Sequence, residues 1–297
     1  MGLTNLSVQT SVTYEVRKLR HPMRTLAALI VGVLAALLAW SFATNPNLDW
    51  STVSAYLFAE LTMRGLLVTL YLTAVSMIIG LVGGTLIALM ALSDNWVLRA
   101  VATGFVGIFR GVPVLVQIIF WGFIGAFFPV VSIGIPFSDI VFYSAPTSSL
   151  VSATTAAILA LGLNEAAYAS EIVRGGIQSV DSGQREACAA LGMNPVTTLR
   201  RVVLPQAMRV IIPPMGNEVI TLLKTSALVS VIAGNDLMTN LQQVYAQNYK
   251  VIPLLVVASF WYLVLTFVLT IIQRRLEVRF GRGSRPAIHP TGKKAAK

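Results

Sequence analysis

EACAALGMNPVTTLRRVVLP, residues 186–205, is a polar insert between apolar stretches. Its residues spell a helix, a forced turn and a second helix. Asp181 and Ser182 are N-cap candidates just upstream, which puts Glu186 in or near a first turn, where a carboxylate suits the helix dipole. Gly192 can take the left-handed conformation that ends a helix. Asn194-Pro195 then restarts one, because proline is pre-organised for a first helical turn, and Pro205 is expected to stop it. The insert therefore reads as a short helical hairpin between two membrane spans.

The rest of the chain supplies those spans. Charged residues are 11% of 297, less than half the roughly 25% of a soluble domain, and hydrophobic residues are 56%. With a mean hydropathy of +0.75, the chain carries more apolar surface than a soluble core absorbs. The net charge of +10 does not point to nucleic acid, because the basic residues gather at the ends of apolar runs, as the positive-inside rule expects. Trp40, Trp50, Trp96, Trp121, Trp261 and Tyr262 accordingly read as interface anchors and packing, not as a base-stacking set. A single cysteine rules out an internal disulfide and a cysteine-built metal site.

Six apolar runs approach the roughly 20 residues that cross a bilayer as a helix: Leu26–Ala43, Leu66–Leu92, Val112–Val131, Leu150–Ile172, Val210–Ile232 and Pro253–Gln273. No small-residue cleavage site follows the first, so it is expected to be retained. Arg17, Lys18, Arg20, Arg24, Arg99, Arg110, Arg174, Arg185, Arg200, Arg201, Arg209 and the tail from Arg274 fall on one side. Essentially Arg64 and Lys250 fall on the other. This asymmetry predicts that both termini and the hairpin are cytoplasmic. Asn45–Gly65, Ser132–Ser149 and Gly234–Ile252 become the external loops. Val97–Phe109 is expected along the cytoplasmic surface, with Arg110-Gly111-Val112-Pro113 turning the chain upward, since a span through Arg110 would bury a guanidinium in hydrocarbon. Residues 281–297 lack any apolar period and read as a disordered basic tail.

The insert resembles the cytoplasmic loop of ABC importer permeases. Its family pattern runs Glu-Ala-Ala, three residues, Gly, nine residues, Ile, one residue, Leu-Pro. Glu186, Ala187, Gly192, Leu204 and Pro205 match at that spacing, with Cys188 for the second Ala and Val202 for Ile. From about Gly65 to Arg279 the chain is similar to permeases of the polar amino acid uptake family. Arg110–Gln117 resembles its RGTPLLVQ segment, with Val112 for Thr; Glu165–Gly175 resembles AAYxAEIxRG; Lys224–Ile232 resembles KxTSLVSVI, with the Thr-Ser pair one place earlier. Gly183–Ala187 and Leu204–Ala207 flank the loop as they do in the family.

The resemblance implies an all-α membrane protein of six helices, a five-helix permease core plus one added N-terminal helix. Residues 1–60 then hold the cytoplasmic N-terminus, the added helix and an external loop. Residues 61–280 form the permease domain, with its coupling hairpin at 182–205. The implied assembly has two permease chains, the same or homologous, two cytoplasmic ATPases that bind ATP and Mg, and an extracytoplasmic substrate-binding protein, seated in the cell membrane. The external segments Pro136–Thr147 and Asn235–Lys250 are the expected docking surface for that binding protein. No cofactor, metal or nucleic acid is expected on this chain. No GxxxxGK[ST] phosphate loop occurs in the sequence, so an ATP-driven role requires a partner's ATPase and makes the chain itself no enzyme.

The candidate site residues fall into two groups. For ATPase coupling they are Glu186, Ala187, Cys188, Leu191, Gly192, Leu204 and Pro205. In that reading Glu186 restrains its own loop, while Ala187, Cys188 and Leu191 present the surface. A lipid-surface hairpin without a partner is the plainer alternative. For the substrate path they are Glu165, Asn217, Glu218, Thr221, Lys224 and Thr225. The last five recur at three and four and share about one helix face, so they line the path or the dimer interface, or else satisfy neighbouring helices. Pro213-Pro214 and Gly216 are expected to break that helix. Glu165 lies deep, either as a site group or as a buried hydrogen-bonded one. Glu171 and Arg174, three apart, are expected to pair, and Gly80 and Gly84 offer a face for close helix packing.

Two rival classes remain in view. An ion-coupled secondary transporter needs internal repeats and midplane carboxylates; no repeat is visible, and only Glu165 and Glu218 are deep. A membrane enzyme needs a catalytic cluster, and the two histidines, His21 and His289, sit in the tails.

Overall fold

The computed structural model describes residues 22–46, 48–135 and 140–280, so the predicted basic tail at 281–297 lies outside the described residues. In chain order the helices are α1 (Pro22–Ala43), α2 (Trp50–Leu57), α3 (Glu60–Ala91), α4 (Trp96–Gly111), α5 (Val114–Gly122) and α6 (Ile124–Phe127). An antiparallel hairpin of β1 (Val130–Gly134) and β2 (Val141–Pro146) follows, then α7 (Thr147–Leu150), α8 (Ala153–Gln178), α9 (Ser182–Ala190) and α10 (Pro195–Thr198). The chain ends in α11 (Leu204–Thr225), α12 (Leu237–Asn248) and α13 (Val251–Phe280). Among the described residues, five helical segments are long and apolar enough to cross a membrane, and a sixth exists if α4 and α5, bent by 98°, count as one span. The chain divides into two units, residues 1–48 and 49–297. In the first, no residue of α1 is buried.

Short polar residues start the helices where the sequence offers them. Asp49 accepts from Thr52 N at 3.1 Å, Asn95 from Val97 N at 2.9 Å, Ser152 from Thr155 N at 3.2 Å and Asp236 from Met238 N at 3.0 Å. Each satisfies one amide that a helix start leaves without an intrahelical partner.

In the second unit α3 and α8 share the most extensive interface. Glycines of α3 meet alanines of α8: a methyl placed on Gly84 would lie 2.6 Å from Ala169 Cβ and 2.9 Å from the Ala166 carbonyl oxygen. With little hydrophobic drive between helices in lipid, such backbone approach is what makes a pair adhere. Three apolar clusters follow one another through this unit. Val173, Ile177, Val203 and Ile211 form the one beside the polar hairpin. Leu72, Ile118, Leu161 and Leu222 form the middle one. Leu237, Leu241, Leu254 and Val257 join α12 to α13.

Three sequence expectations are corrected here. The apolar run Val112–Val131 is not one helix. Pro113 lacks an amide donor and drives Val112 to an extended conformation, φ −97° and ψ 131°, and α5 ends at Gly122, before a β-hairpin in place of the expected external loop. Pro205 does not stop a helix: α10 passes through a π turn at Leu199–Val203 directly into α11, with Pro205 in its first turn. There a proline's missing amide costs least, and the wide turn relieves its ring against the preceding one. Pro213-Pro214 does not break α11 either, which runs to Thr225. The irregularity comes later, in the 3₁₀ turns Ser226–Ile232 and the left-handed Ala233 (φ 54°) and Asn235 (φ 60°).

A charged cavity and a surface hairpin on one continuous helix

The hairpin is built as its residues dictate. Asp181 Oδ1 accepts from Gly183 N at 2.6 Å and starts α9. Gly192 takes φ +70°, and its amide donates to the Ala189 carbonyl at 2.9 Å. Asn194 Oδ1 then accepts from Thr197 N at 2.8 Å, with Pro195 in the first turn of α10. Leu191 is 80% exposed and Val196 74%, and Glu186, Ala187 and Gly192 are exposed beside them. Two assignments change. Cys188, expected on the presenting surface, is buried. Among the described residues Glu186 makes no side-chain hydrogen bond or ion pair; Arg185 instead ties α9 to the end of α8, donating from Nη2 to the Ile177 carbonyl at 2.7 Å. Leu204 and Pro205 are exposed, at the start of α11.

A cavity of about 420 Å³ opens deeper in the unit, lined by α4, α8 and α11 and by the bend between α4 and α5. Its charged walls are Glu165, Glu218 and Arg110, with Asn164, Tyr168, Thr221 and Thr225 beside them. Glu165 is only 4% exposed, and its Oε1 has no hydrogen-bond partner among the described residues. A buried carboxylate oxygen without a donor is costly. Arg110 lies over the Tyr168 ring, 5.0 Å from its centroid, so the ring steadies the cation.

The bend is held by two amides. Gln117 Nε2 donates to the Phe109 and Val112 carbonyls, both at 2.9 Å, and Asn164 Nδ2 donates to Phe109 at 2.8 Å. These supply the donors that the interrupted helix lost at Pro113. Arg110, Asn164, Tyr168 and Gln117 are site groups beyond the sequence candidates. The signal was present: Arg110 directly precedes Gly111-Val112-Pro113, and Asn164 directly precedes Glu165.

The cavity takes four of the six path candidates, Glu165, Glu218, Thr221 and Thr225. It does not take Asn217, which is exposed and accepts from Gln273 Nε2 at 2.9 Å. Nor does it take Lys224, which is exposed and has no hydrogen-bond or ion-pair partner among the described residues. The reason is angular. At 100° per residue, Asn217 and Lys224 sit on one edge of the polar stripe and Glu218 on the other. Glu171 and Arg174 do pair, Nη2 to Oε2 at 2.6 Å and Nε to Oε1 at 3.1 Å, and Arg174 also donates to Gln178.

A family model described as binding-protein-dependent transport system inner membrane component matches residues 80–282, which takes in the cavity and the hairpin alike. The chain belongs to that family. The arginine transport system permease protein ArgU of Corynebacterium glutamicum is 43% identical over 274 residues, covering 91% of this chain and 84% of ArgU. The arginine transport system permease protein ArtQ of Bacillus subtilis is 35% identical, covering 78% of this chain and 96% of its own. A crystal structure of an amino acid ABC transporter with histidines superimposes with a TM-score of 0.60 at 35% identity, over 74% of this chain and 94% of that one. The MetNI methionine ABC transporter, at 22% identity and a TM-score of 0.59 over 75% of this chain and 99% of that one, shares the fold. The chain is thus a multi-pass ABC importer permease with a core shared by these relatives, and an ion-coupled transporter is not favoured.

Proposed function

We propose that this chain is the permease subunit of an ATP-driven importer of polar, cationic amino acids, and that the cavity is its substrate site. One observation carries the reading: two carboxylates and one guanidinium line the same open cavity. A cationic amino acid brings two positive groups and one negative. Arg110 suits its α-carboxylate, and Glu165 and Glu218 suit the α-ammonium and the side-chain cation. The unpartnered Oε1 of Glu165 gains its donor when the solute enters. The names of the arginine permeases among its relatives support the same substrate class.

Energy comes from a cytoplasmic ATPase that binds ATP and Mg. Substrate comes from an extracytoplasmic binding protein, and a second permease chain completes the path. Both termini and the hairpin lie on the cytoplasmic side of the cell membrane. Residues 61–280 form the working domain, with 1–60 an added N-terminal part.

The hairpin, through Glu186, Ala187, Leu191 and Gly192, receives the ATPase. Its second arm runs through the π turn into α11 without a break. Glu218 lies 14 residues beyond Leu204, about 21 Å at 1.5 Å per residue. Movement of the hairpin therefore tilts the helix that carries one wall of the cavity. Alternating access follows: ATP closes the ATPase pair, the hairpins move, and α11 reopens the cavity toward the loaded binding protein.

The test is uptake of labelled L-arginine by the full complex in vesicles. Glu218→Gln is expected to lower uptake per complex at least tenfold while L-glutamine uptake, if present, holds. Equal loss for both solutes would remove the charge-reading role of the cavity.

A further inference from the structure

Gly80 stands where the cavity's buried carboxylate is held. A methyl at position 80 would lie 2.3 Å from Glu165 Cγ and 2.7 Å from its Cβ. Atoms do not approach so closely, so the Glu165 stem rests directly on the bare backbone of α3. The neighbouring small residue of this face does something else. A methyl at Gly84 would meet Ala169 Cβ, the Ala166 carbonyl and the Ser170 amide, all packing atoms of α8. Gly84 therefore serves helix packing alone, whereas Gly80 also touches the side chain whose Oε1 is buried and unpartnered.

We infer that Gly80 is a positioning residue: by leaving space beneath the Glu165 stem, it sets how far that carboxylate reaches into the cavity, and so sets the preference for cationic over neutral amino acids. This rests on the cavity being the substrate site. A methyl at 80 would collide with the stem and come within 3.3 Å of the Glu165 backbone carbonyl carbon, so the stem has to move, and the cavity that Glu165 lines offers it room. The carboxylate then occupies part of the space of the cationic group it would bind. Electrostatic and hydrogen-bonding partners are sensitive to such shifts, and a site about 1 Å out of place loses most of its selectivity. A methyl at 84 only parts the two helices, and affects every solute alike.

The experiment measures binding of L-arginine and of L-glutamine to the purified permease–ATPase complex in lipid nanodiscs, without the binding protein. Glu165→Gln is expected to weaken arginine at least tenfold with glutamine within about threefold. Gly80→Ala is expected to lower the arginine-to-glutamine affinity ratio at least fivefold, and Gly84→Ala to leave that ratio unchanged. In a Glu165→Gln background, Gly80→Ala should change the ratio no further. If Glu165→Gln lowers the ratio and Gly80→Ala does not, the positioning role is overturned while the site stands. If Glu165→Gln leaves the ratio unchanged, the site itself falls and the positioning role with it. Should Gly80→Ala fail to assemble, Glu165→Asp draws the charge back by one methylene without touching α3. It should lower the ratio at least fivefold, and an unchanged ratio overturns the inference.

Discussion

The side-chain amide of Asn164 donates to the carbonyl of Phe109 across 55 residues of chain, at 2.8 Å. The same carbonyl accepts from Gln117 at 2.9 Å. Residue 164 directly precedes the cavity's buried carboxylate, and Phe109 directly precedes its guanidinium. This hydrogen bond therefore ties the element bearing Glu165 to the element bearing Arg110.

Loss of either donor leaves the other in place. Asn164→Leu alone should cost about 1 kcal/mol, the net worth of one hydrogen bond. Asn164→Leu with Gln117→Leu leaves the Phe109 carbonyl without both of its side-chain donors and should cost more than the two single changes added. Thermal unfolding of the purified chain reads this directly. Strict additivity would mean that the two amides act on separate parts of the bend.

Gly192 should show a graded response. Its φ of +70° costs an alanine about 1–2 kcal/mol, and a proline cannot adopt it and also loses the amide bond to Ala189. Gly192→Ala should reduce uptake a fewfold. Gly192→Pro should reduce it more than tenfold, with normal insertion. Measurement is uptake per inserted chain in reconstituted vesicles, and wild-type rates from the proline variant would dissociate the turn from coupling.

Much of this was legible in the sequence. The hairpin could be read because its caps and turn are local: Asp181, Gly192 and Asn194-Pro195 act within three residues of themselves. The cavity was half legible. Glu165 and Glu218 announced themselves as ionisable groups in apolar runs, but Arg110 joins them only because the chain folds back at Pro113. Pro205 and Pro213-Pro214 depart from the expected breaks for one reason. A proline signals a break only where nothing else holds the helix, and here a π turn accommodates one and packing of α11 against α8 and α13 holds the others. The hairpin of β1 and β2 went unseen because Val130–Val131 continues an apolar run with no change of period.

Lys224 sets a third test. It is exposed and unpartnered among the described residues, on the last turn of α11, and lipid is a costly surround for an ammonium. A second permease chain is its expected partner. Lys224→Met should lower uptake per assembled complex at least fivefold while assembly with the ATPase is unchanged. Unchanged uptake per complex would leave Lys224 idle in transport.

A fourth concerns pH. Lys250 Nζ donates to Asp49 Oδ2 at 2.7 Å and to Thr52 Oγ1 at 3.0 Å, joining the start of α2 to the start of α13. Lys250, with Ser51 and Thr52, holds the Asp49 carboxyl well below its ordinary value of 3.8. A depressed carboxylate stabilises above its ordinary value and loses that contribution as pH falls through the folded-state one. Amide exchange of Trp50–Leu57 should therefore be flat, once corrected for intrinsic rates, from about pH 8 to about pH 4, and should rise in Lys250→Met at neutral pH. A rise near pH 6 in the wild type would assign the tie to another group.

The most direct test of the account is the energy source. The chain is reconstituted with its ATPase and binding protein, and L-arginine uptake is measured under two drives in turn: ATP on the hairpin side, and a proton or sodium gradient without ATP. The account predicts accumulation with ATP, none with either gradient, and no ATP binding or hydrolysis by the purified chain alone. Gradient-driven accumulation in the absence of ATP would contradict it.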